Sequence, residues 1–404
     1  FHEKIMTQPL DGLKIIEIGG TVSVAAAGKK FADFGADVIK IEPPKISEVR
    51  KIAPFPDDIF HIDKGAVHLA FDSSKRSIVV NHLTNSGKEI IQRLGSKANL
   101  IIMDIPAIEA SNIINIFKDG DNLLTNIVTI TPHGMTGPYR DRIENDLTLF
   151  GWSTRSHRHS ITGREPLRYG PYAGVVQIGS TAAAVGMAAI WGSRSEGMSR
   201  LIDVSGVEAL MGNVDSGFFL WAVNGALQPR SAGQSRGLYP MGAYKCKDGY
   251  MLFSAGRDPV YSRLCNAIGR PDLSTDKRFT DPVEKPKNFE AFKEILEEWL
   301  ATRTKYEAFD ELQEKGVMCC PVLDASELEN DPQSVYRKSY ITRNQDGIGD
   351  ITIAGPPFRM NGLHSDAWQS KPAPNFAEHT NEILKEHDYS TQEIIALFRA
   401  GVTT

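Results

Sequence analysis

From Leu13 onward the chain alternates short β-branched runs with helical stretches, the order that a parallel sheet covered by helices requires. LKIIEI reads as a first strand, AAAGKKFADFG as its helix with Gly35 just past the end, and ADVIKIE as the second strand. Further runs at SIVVN, NLIIMD and NIVTIT continue the sheet, and their near-continuous apolar character suits strands buried on both faces. The pattern predicts an α/β fold.

At 404 residues the chain is too long for one typical core, so two domains are expected. After Asp203 the stretch GVEALMGNVDSGFFLWAVNG reads as a buried helix, and the Gly, Ser and Gln segment from Gly225 to Gly237 as a linker. A second unit then opens with AYKCKDGYMLFSAG, two strand-like runs joined by the turn dipeptide Asp248-Gly249. Its clearest helix puts Phe289, Phe292, Ile295, Leu296, Trp299 and Leu300 on one face and Lys293, Glu294 and Glu297 on the other. The chain turns polar from about Asn330 and closes on a helix capped by Ser390 and Thr391 before Glu393. The resulting division is a large domain over 1–224, a linker over 225–237, a small domain over 238–329, and a C-terminal segment over 330–404 that returns to the large domain. The opening FHEKI has no targeting logic and stands outside the fold argument.

A net charge of −5 argues against a generic nucleic-acid surface, and no apolar run approaches the ~18 residues that a membrane span needs, so a cytoplasmic location is expected. Cys246, Cys265, Cys319 and Cys320 form neither a CxxC pair nor a disulfide framework, and the adjacent pair in VMCCPVL reads as core. Metal-ligand spacing, a Walker loop, a GxSxG elbow and a dinucleotide fingerprint are all lacking, so neither a metal nor a tightly bound cofactor is expected.

The stretch from Pro166 to Arg194, PLRYGPYAGVVQIGSTAAAVGMAAIWGSR, resembles the active-site segment of class III CoA-transferases. PLDGLKIIEI, FADFGADVIKIEPP, SSKRSIVVN, TPHGMTGPYRD, LIDVS, YKCKDGYMLF, GVMCCPVLDASELENDPQ and NFAEHTNEIL resemble further blocks of that family in order, across nearly the whole chain. The resemblance implies a Rossmann-like large domain, a smaller α+β domain and an interlocked dimer. In that dimer each active site lies between one subunit's large domain and the other's small domain.

Three departures fall on positions where the resemblance implies function. The family's nucleophilic aspartate stands nine residues after the proline and four before a glycine; both offsets land on Val175. A carboxylate there would attack the acyl-CoA carbonyl, and an isopropyl group has no such chemistry. The CoA-wrapping loop after the strand at Leu100 reads DIPAIEASN, from Asp104 to Asn112, without its glycines, and Asn112 stands where relatives have a phosphate-binding arginine. In the first loop Ser23-Val24-Ala25 replaces Ala-Gly-Pro.

Lys75 and Arg76 are the remaining candidates for a CoA contact. Arg155, Arg158 and Arg168, in a basic cluster with His157, His159 and Arg164, are candidates for substrate carboxylates or for an exposed interface loop. Tyr239, Tyr244 and Ser254-Ala255-Gly256-Arg257 lie where relatives form a lid over the acyl group. Within the family, unlike subunits, one of them without the aspartate, are known to pair. The expectation is therefore a catalytically silent subunit whose paralogous partner carries the aspartate and binds most of the CoA thioester, the complex moving CoA from succinyl-CoA to an aryl-succinate such as (R)-benzylsuccinate. A racemase or lyase using His133, or a non-enzymatic paralogue, are the alternatives.

Overall fold

The computed structural model describes residues 8–120, 122–160, 163–167, 169–212, 217–227, 230, 236–361 and 371–404. Six parallel strands form the main sheet: β1 (Lys14–Gly19), β2 (Asp37–Glu42), β3 (Arg76–Val79), β4 (Leu100–Asp104), β5 (Asn126–Thr131) and β6 (Leu201–Ser205), in the order β3-β2-β1-β4-β5-β6. The order reverses between β1 and β4, and in open parallel sheets the crevice at the carboxyl ends of such a pair is where ligands bind. Helix α1 (Val22–Asp33) follows β1; α2 (Ala66–Phe71), α3 (Asn85–Gly95), α4 (Ala107–Ile116) and α5 (Asp146–Trp152) precede the long α6 (Ala173–Glu196). The Asp104–Asn112 stretch expected as a loop is thus mostly helix. With no glycine to hold it open, AIEASNIINI winds from Ala107 and buries Ala107, Ala110, Ile113 and Ile114, leaving Asn112 exposed.

Helix α6 is long and apolar enough to cross a membrane by length and composition, yet half of it is buried in the protein. Its small residues bring it against α1: a Cβ at Gly179 would collide with the Ser23 carbonyl, and one at Gly186 would lie 2.7 Å from Leu100. The expected single helix after Asp203 is instead two short ones, Gly206–Met211 and Phe218–Asn224. The second is not buried, with Phe218, Phe219, Trp221 and Val223 all exposed.

The chain divides into two compact units. One comprises the chain up to Arg155, Arg168–Asn224 and Tyr336–Thr404; the other Ser156–Leu167 and Gly225–Val335. Ser156–Leu167, read from sequence as part of the large domain, joins the second unit because Arg230 binds the carbonyls of His157 and Arg164 at 2.7 and 2.8 Å. The second unit's sheet has the order β9-β8-β7, from β7 (Met241–Lys245), β8 (Tyr250–Ser254) and β9 (Cys319–Pro321), all antiparallel. Strand alternation points Tyr244, Met251, Phe253 and Cys319 into a core shared with Phe289, Phe292, Leu296 and Leu300, as the helical pattern required. It also corrects the reading of the cysteine pair. Cys319 is buried, but Cys320 is exposed opposite Leu252.

The first unit holds a buried ionic network on one side of its sheet. Glu17 and Lys40 are register neighbours on β1 and β2. Lys75 Nζ donates to Glu17 at 2.6 Å, to Asp72 at 3.0 Å and to the Ala25 carbonyl at 2.9 Å; Lys40 donates to the other oxygen of Asp72. Arg50 binds both oxygens of Glu42 at 2.7 and 2.8 Å and Asp63 at 2.8 Å. His68 lies between, with Nδ1 2.8 Å from Asp72 and Nε2 3.1 Å from Arg50. Burial holds its pKa below the ordinary value, so the neutral ring with its proton on Nδ1 fits both neighbours. Removing one member of such a cluster strands its partners' charges out of water, a cost of about 3–5 kcal/mol. Lys75→Met is therefore expected to lower the urea-unfolding free energy by about that amount; an unchanged midpoint in circular dichroism would show that the network contributes nothing.

Candidate functional site

The loop between β5 and α5 and the start of α6 converge at the switch point. Asn145 caps α5 by accepting from the Thr148 N–H at 3.1 Å, while Thr148 Oγ1 accepts from the Asn145 N–H, a reciprocal cap. The next residue, Asp146, accepts from the N–H groups of Tyr172 at 3.0 Å and Val175 at 3.2 Å. Its carboxylate thereby caps the first turn of α6, where the helix dipole favours negative charge. Tyr172 holds the left-handed conformation just before that turn, at φ 68°.

A cavity of about 100 Å³ opens at this junction, walled by Thr21, Asp104, Thr131, Glu144, Asp146 and Val175 among others. Val175 thus stands at the first turn of α6 and faces the crevice with an apolar side chain. Across it Asp104, the last residue of β4, accepts a short hydrogen bond from Thr21 Oγ1. Burial lifts its carboxyl pKa from 3.8 to about 6, the charge of Glu48 pushes the same way, and hydroxyls of Thr21 and Ser23 pull back. Glu144 accepts from Trp152 Nε1 at 2.9 Å and lies 3.0 Å from His133 Nε2; the His133 ring stands edge-on to Trp152. The hydrogen bonds from Thr148, His133 and Trp152 outweigh desolvation and leave Glu144 below the usual carboxylate range.

Among the described residues, none of the basic residues singled out by sequence lines this cavity. Lys75 is fully buried in the ionic network, so it has no donor left for a phosphate. Arg76 grips Asp37 at 2.7 and 2.9 Å and reaches Glu382 and Glu386, tying β3 to the helix Thr380–Glu386 instead of facing a ligand. Arg155 is 4% exposed and donates to Gln177 of α6 at 2.9 Å, a packing role. Arg168 lies outside the described residues, as does the side chain of Arg158.

The lid candidates in the second unit divide. Tyr239, Tyr244 and Ala255 are wholly buried core residues, which corrects their placement at a surface. Ser254 and Arg257 are exposed. Gly256 packs so tightly that a Cβ would collide with the Leu238 carbonyl, and Lys285, set over the Tyr239 and Tyr261 rings, holds the Gly256 carbonyl at 3.1 Å. The exposed side of this sheet is formed by Met241, Tyr250, Leu252, Ser254 and Cys320.

Sequence reading passed over Thr21, Glu48, Asp104, Thr131, Glu144 and Asp146. A signal existed for two of them, since Thr21 lies two residues beyond the end of β1 and Asp104 ends β4, the two strands that flank the reversal. The others are brought together only by the folded loops.

With fold and site in place, comparison with known proteins gives the class: the chain belongs to CoA-transferase family III, whose model matches residues 10–380. It is 28% identical to subunit BbsE of succinyl-CoA:(R)-benzylsuccinate CoA-transferase from Thauera aromatica, over 98% of each chain. It is 24% identical to succinyl-CoA–D-citramalate CoA-transferase from Chloroflexus aurantiacus, over 97% of each. Among solved structures, a CaiB/BaiF family protein from Brucella suis superposes with a TM-score of 0.80 at 24% identity, covering 95% of this chain and all of that one. The α/β fold with its parallel sheet is the fold of that family.

Asp104 gives the site a pH dependence of defined sign. Its folded pKa lies above 3.8, so between about 4 and 6 the folded state binds more protons than the unfolded state, and stability falls as pH rises through that window. Asp104→Asn is expected to raise stability by about 2 kcal/mol at pH 7.5, with the gain vanishing by about pH 4. Thermal melts of both proteins across this range check it; a gain that does not depend on pH would refute the assignment.

Proposed function

We propose that this chain is the catalytically silent subunit of a heteromeric class III CoA-transferase that moves CoA from succinyl-CoA to an aryl-succinate such as (R)-benzylsuccinate. The observation that carries the reading is Val175 at the first turn of α6, facing the cavity where the family's segment would place its nucleophile. An acyl transfer through an anhydride needs a carboxylate that breaks the thioester and is later released, and valine supplies none. The cavity wall adds a second obstacle. Four acidic side chains and no basic one, among the described residues, disfavour a carboxylate substrate in this chain's own site.

A paralogous partner would supply the aspartate and the CoA groove, and the similarity to a protein named as a subunit of the benzylsuccinate enzyme supports that pairing. The exposed Phe218, Phe219, Trp221 and Val223 are a further reason to expect a partner, because such clustered apolar surface is costly in water. This chain's small unit would then cover the partner's site with the open side of its sheet and exclude water from the hydrolysable intermediate. The reading places the complex in the cytoplasm. A second reading, an acid/base enzyme of the same fold, rests on the His133–Glu144 pair at the cavity. Solvent deuterium appearing at the α-carbon of an acyl-CoA with the isolated chain would favour it.

The purified chain alone is expected to show no transfer between succinyl-CoA and benzylsuccinate, and activity is expected to appear when a paralogue with the aspartate is co-purified. Turnover by the single chain would overturn the proposal. Val175→Asp is expected to remain inactive, because the new carboxylate would enter an already acidic cavity beside a CoA segment rebuilt as helix. In the complex, Leu252→Asp on the open sheet face is expected to cut activity at least tenfold without shifting the melting temperature. Ala255→Trp, in contrast, overpacks the core and is expected to cost about 1–3 kcal/mol of stability. Full activity of the Leu252 variant in an assembled complex would refute the covering role.

A further inference from the structure

Lys285 carries a charge into the interior of the second unit. It opens the turn Lys285–Asn288 and is 7% exposed, with no ion-pair partner among the described residues. Its ammonium lies 4.8 Å from the ring centroid of Tyr239 and 4.4 Å from that of Tyr261, and it donates to the Gly256 carbonyl at 3.1 Å. Both rings are themselves fixed, because Tyr239 packs on Phe289 and Phe292 and Tyr261 on Phe292. Burial pushes the lysine's pKa down, with Cys265 and Asp258 pulling the other way. A buried ammonium is costly unless aromatic faces and acceptors replace its water, so the side chain is confined to this place. The backbone that it grips is held from other sides as well. Ser254 donates to the Met318 carbonyl and Ala255 to that of Pro240, both at 2.9 Å, and the Arg257 carbonyl accepts from the Tyr261 N–H at 3.0 Å. A Cβ at Gly256 would fall 1.7 Å from the Leu238 carbonyl oxygen, so this residue has no room to shift that way. Lys285 supplies the hold on the Gly256 carbonyl itself.

We propose that Lys285 is a positioning residue: by fixing the Gly256 carbonyl it sets the Gly256–Arg257 peptide, and with it the direction in which Arg257 leaves the segment Ser254–Arg257. The inference rests on the covering role proposed for the small unit and names what keeps that cover in shape. Ser254 belongs to the open side of the sheet, and Arg257 is exposed three residues further on. A peptide bond is planar, so a carbonyl held on one side orients the N–H on the other. A cover excludes water only while its backbone keeps its place, since a segment that opens admits the water that cleaves succinyl-CoA to succinate and free CoA. Lysine suits the task because its ammonium can grip a carbonyl with one of three N–H donors while its charge rests on two rings.

The test compares Lys285→Met, which keeps an unbranched stem and removes the ammonium, with Lys285→Arg, which keeps charge and donors; melting curves confirm that both fold. In the isolated chain, hydrogen exchange of Ala255–Asp258 followed by mass spectrometry is expected to rise about tenfold in Lys285→Met and to stay within about twofold of the unaltered chain in Lys285→Arg, with Tyr250–Phe253 unchanged in both. In the complex with an aspartate-bearing paralogue, Lys285→Met is expected to raise the ratio of succinyl-CoA hydrolysis to transfer about fivefold at an unchanged KM for succinyl-CoA, and Lys285→Arg to keep the ratio of the unaltered complex. Unchanged exchange in Lys285→Met overturns the proposal whatever the complex does, because that measurement involves no partner. Exchange that rises equally across Tyr250–Phe253 makes Lys285 a general stabiliser of the unit and overturns it as well. Raised exchange confined to Ala255–Asp258 with an unaltered hydrolysis ratio rejects the positioning role, while the function proposed for the complex is read separately from the activity of the unaltered subunits.

Discussion

The large unit is organised around charges that never meet water. Lys75, Lys40 and Arg50 are each matched to Glu17, Asp72 and Glu42, and every one of these six side chains is buried. Their attraction does not by itself explain the stability of the fold, because desolvating such pairs cancels most of it. What it imposes is geometry. Glu17 must sit beside Lys40 in the β1–β2 register, the turn carrying Asp72 must return beneath both, and Arg50 must reach across to the Pro374 carbonyl at 3.2 Å. A one-residue slip in strand register would turn Glu17, or Lys40 and Glu42, to the opposite face and away from their partners, so the network selects a single arrangement of β1, β2, β3 and the C-terminal segment.

The candidate site lies just beyond that framework, at the carboxyl ends of β1 and β4. Here the chain keeps a capped helix start facing an open crevice, while the side chain at position 175 holds no group able to attack a thioester. The helix start is capped by Asp146, the crevice is open, and the neighbouring carboxyls are perturbed by burial. On the function proposed, chemistry and architecture have separated: a valine at 175 would change what the cavity can do while the turn around it keeps its build.

Much of the fold was readable in advance because its signals are local. LKIIEI, NLIIMD and NIVTIT could only be buried strands, and the Phe289–Leu300 stripe could only be a core helix. The departures have physical causes. Lys75 and Arg76 look alike in sequence, and only the folded chain shows one buried between Glu17 and Asp72 and the other tied to Asp37, Glu382 and Glu386. The charges of Glu17 and Lys40 inside the apolar runs KIIEIG and DVIKIE were the available clue, since a charge within an apolar strand must find a partner. Tyr239 and Tyr244 were placed at a lid by resemblance; strand alternation sends Tyr244 into the core. The Phe218–Asn224 helix misled in the opposite sense, because apolar composition says that a surface is to be covered and not which chain covers it.

The contact between α1 and α6 has a consequence for how such a chain changes over time. Gly179 lets α6 approach the Ser23 carbonyl more closely than any other residue would, and Gly186 does the same against Leu100. The position of the first turn of α6 is therefore set by glycines one and three turns further along, and by Asp146 from outside. Residue 175 enters through its backbone N–H, which Asp146 holds whatever the side chain, and its valine packs only at the margin of the core. A side chain in that half-buried place can be exchanged at less cost to folding than a methyl group added at Gly179. Selection for a stable, assembling subunit would then guard the glycines strictly and leave the catalytic position to drift, so that loss of chemistry and retention of shape become the expected pair.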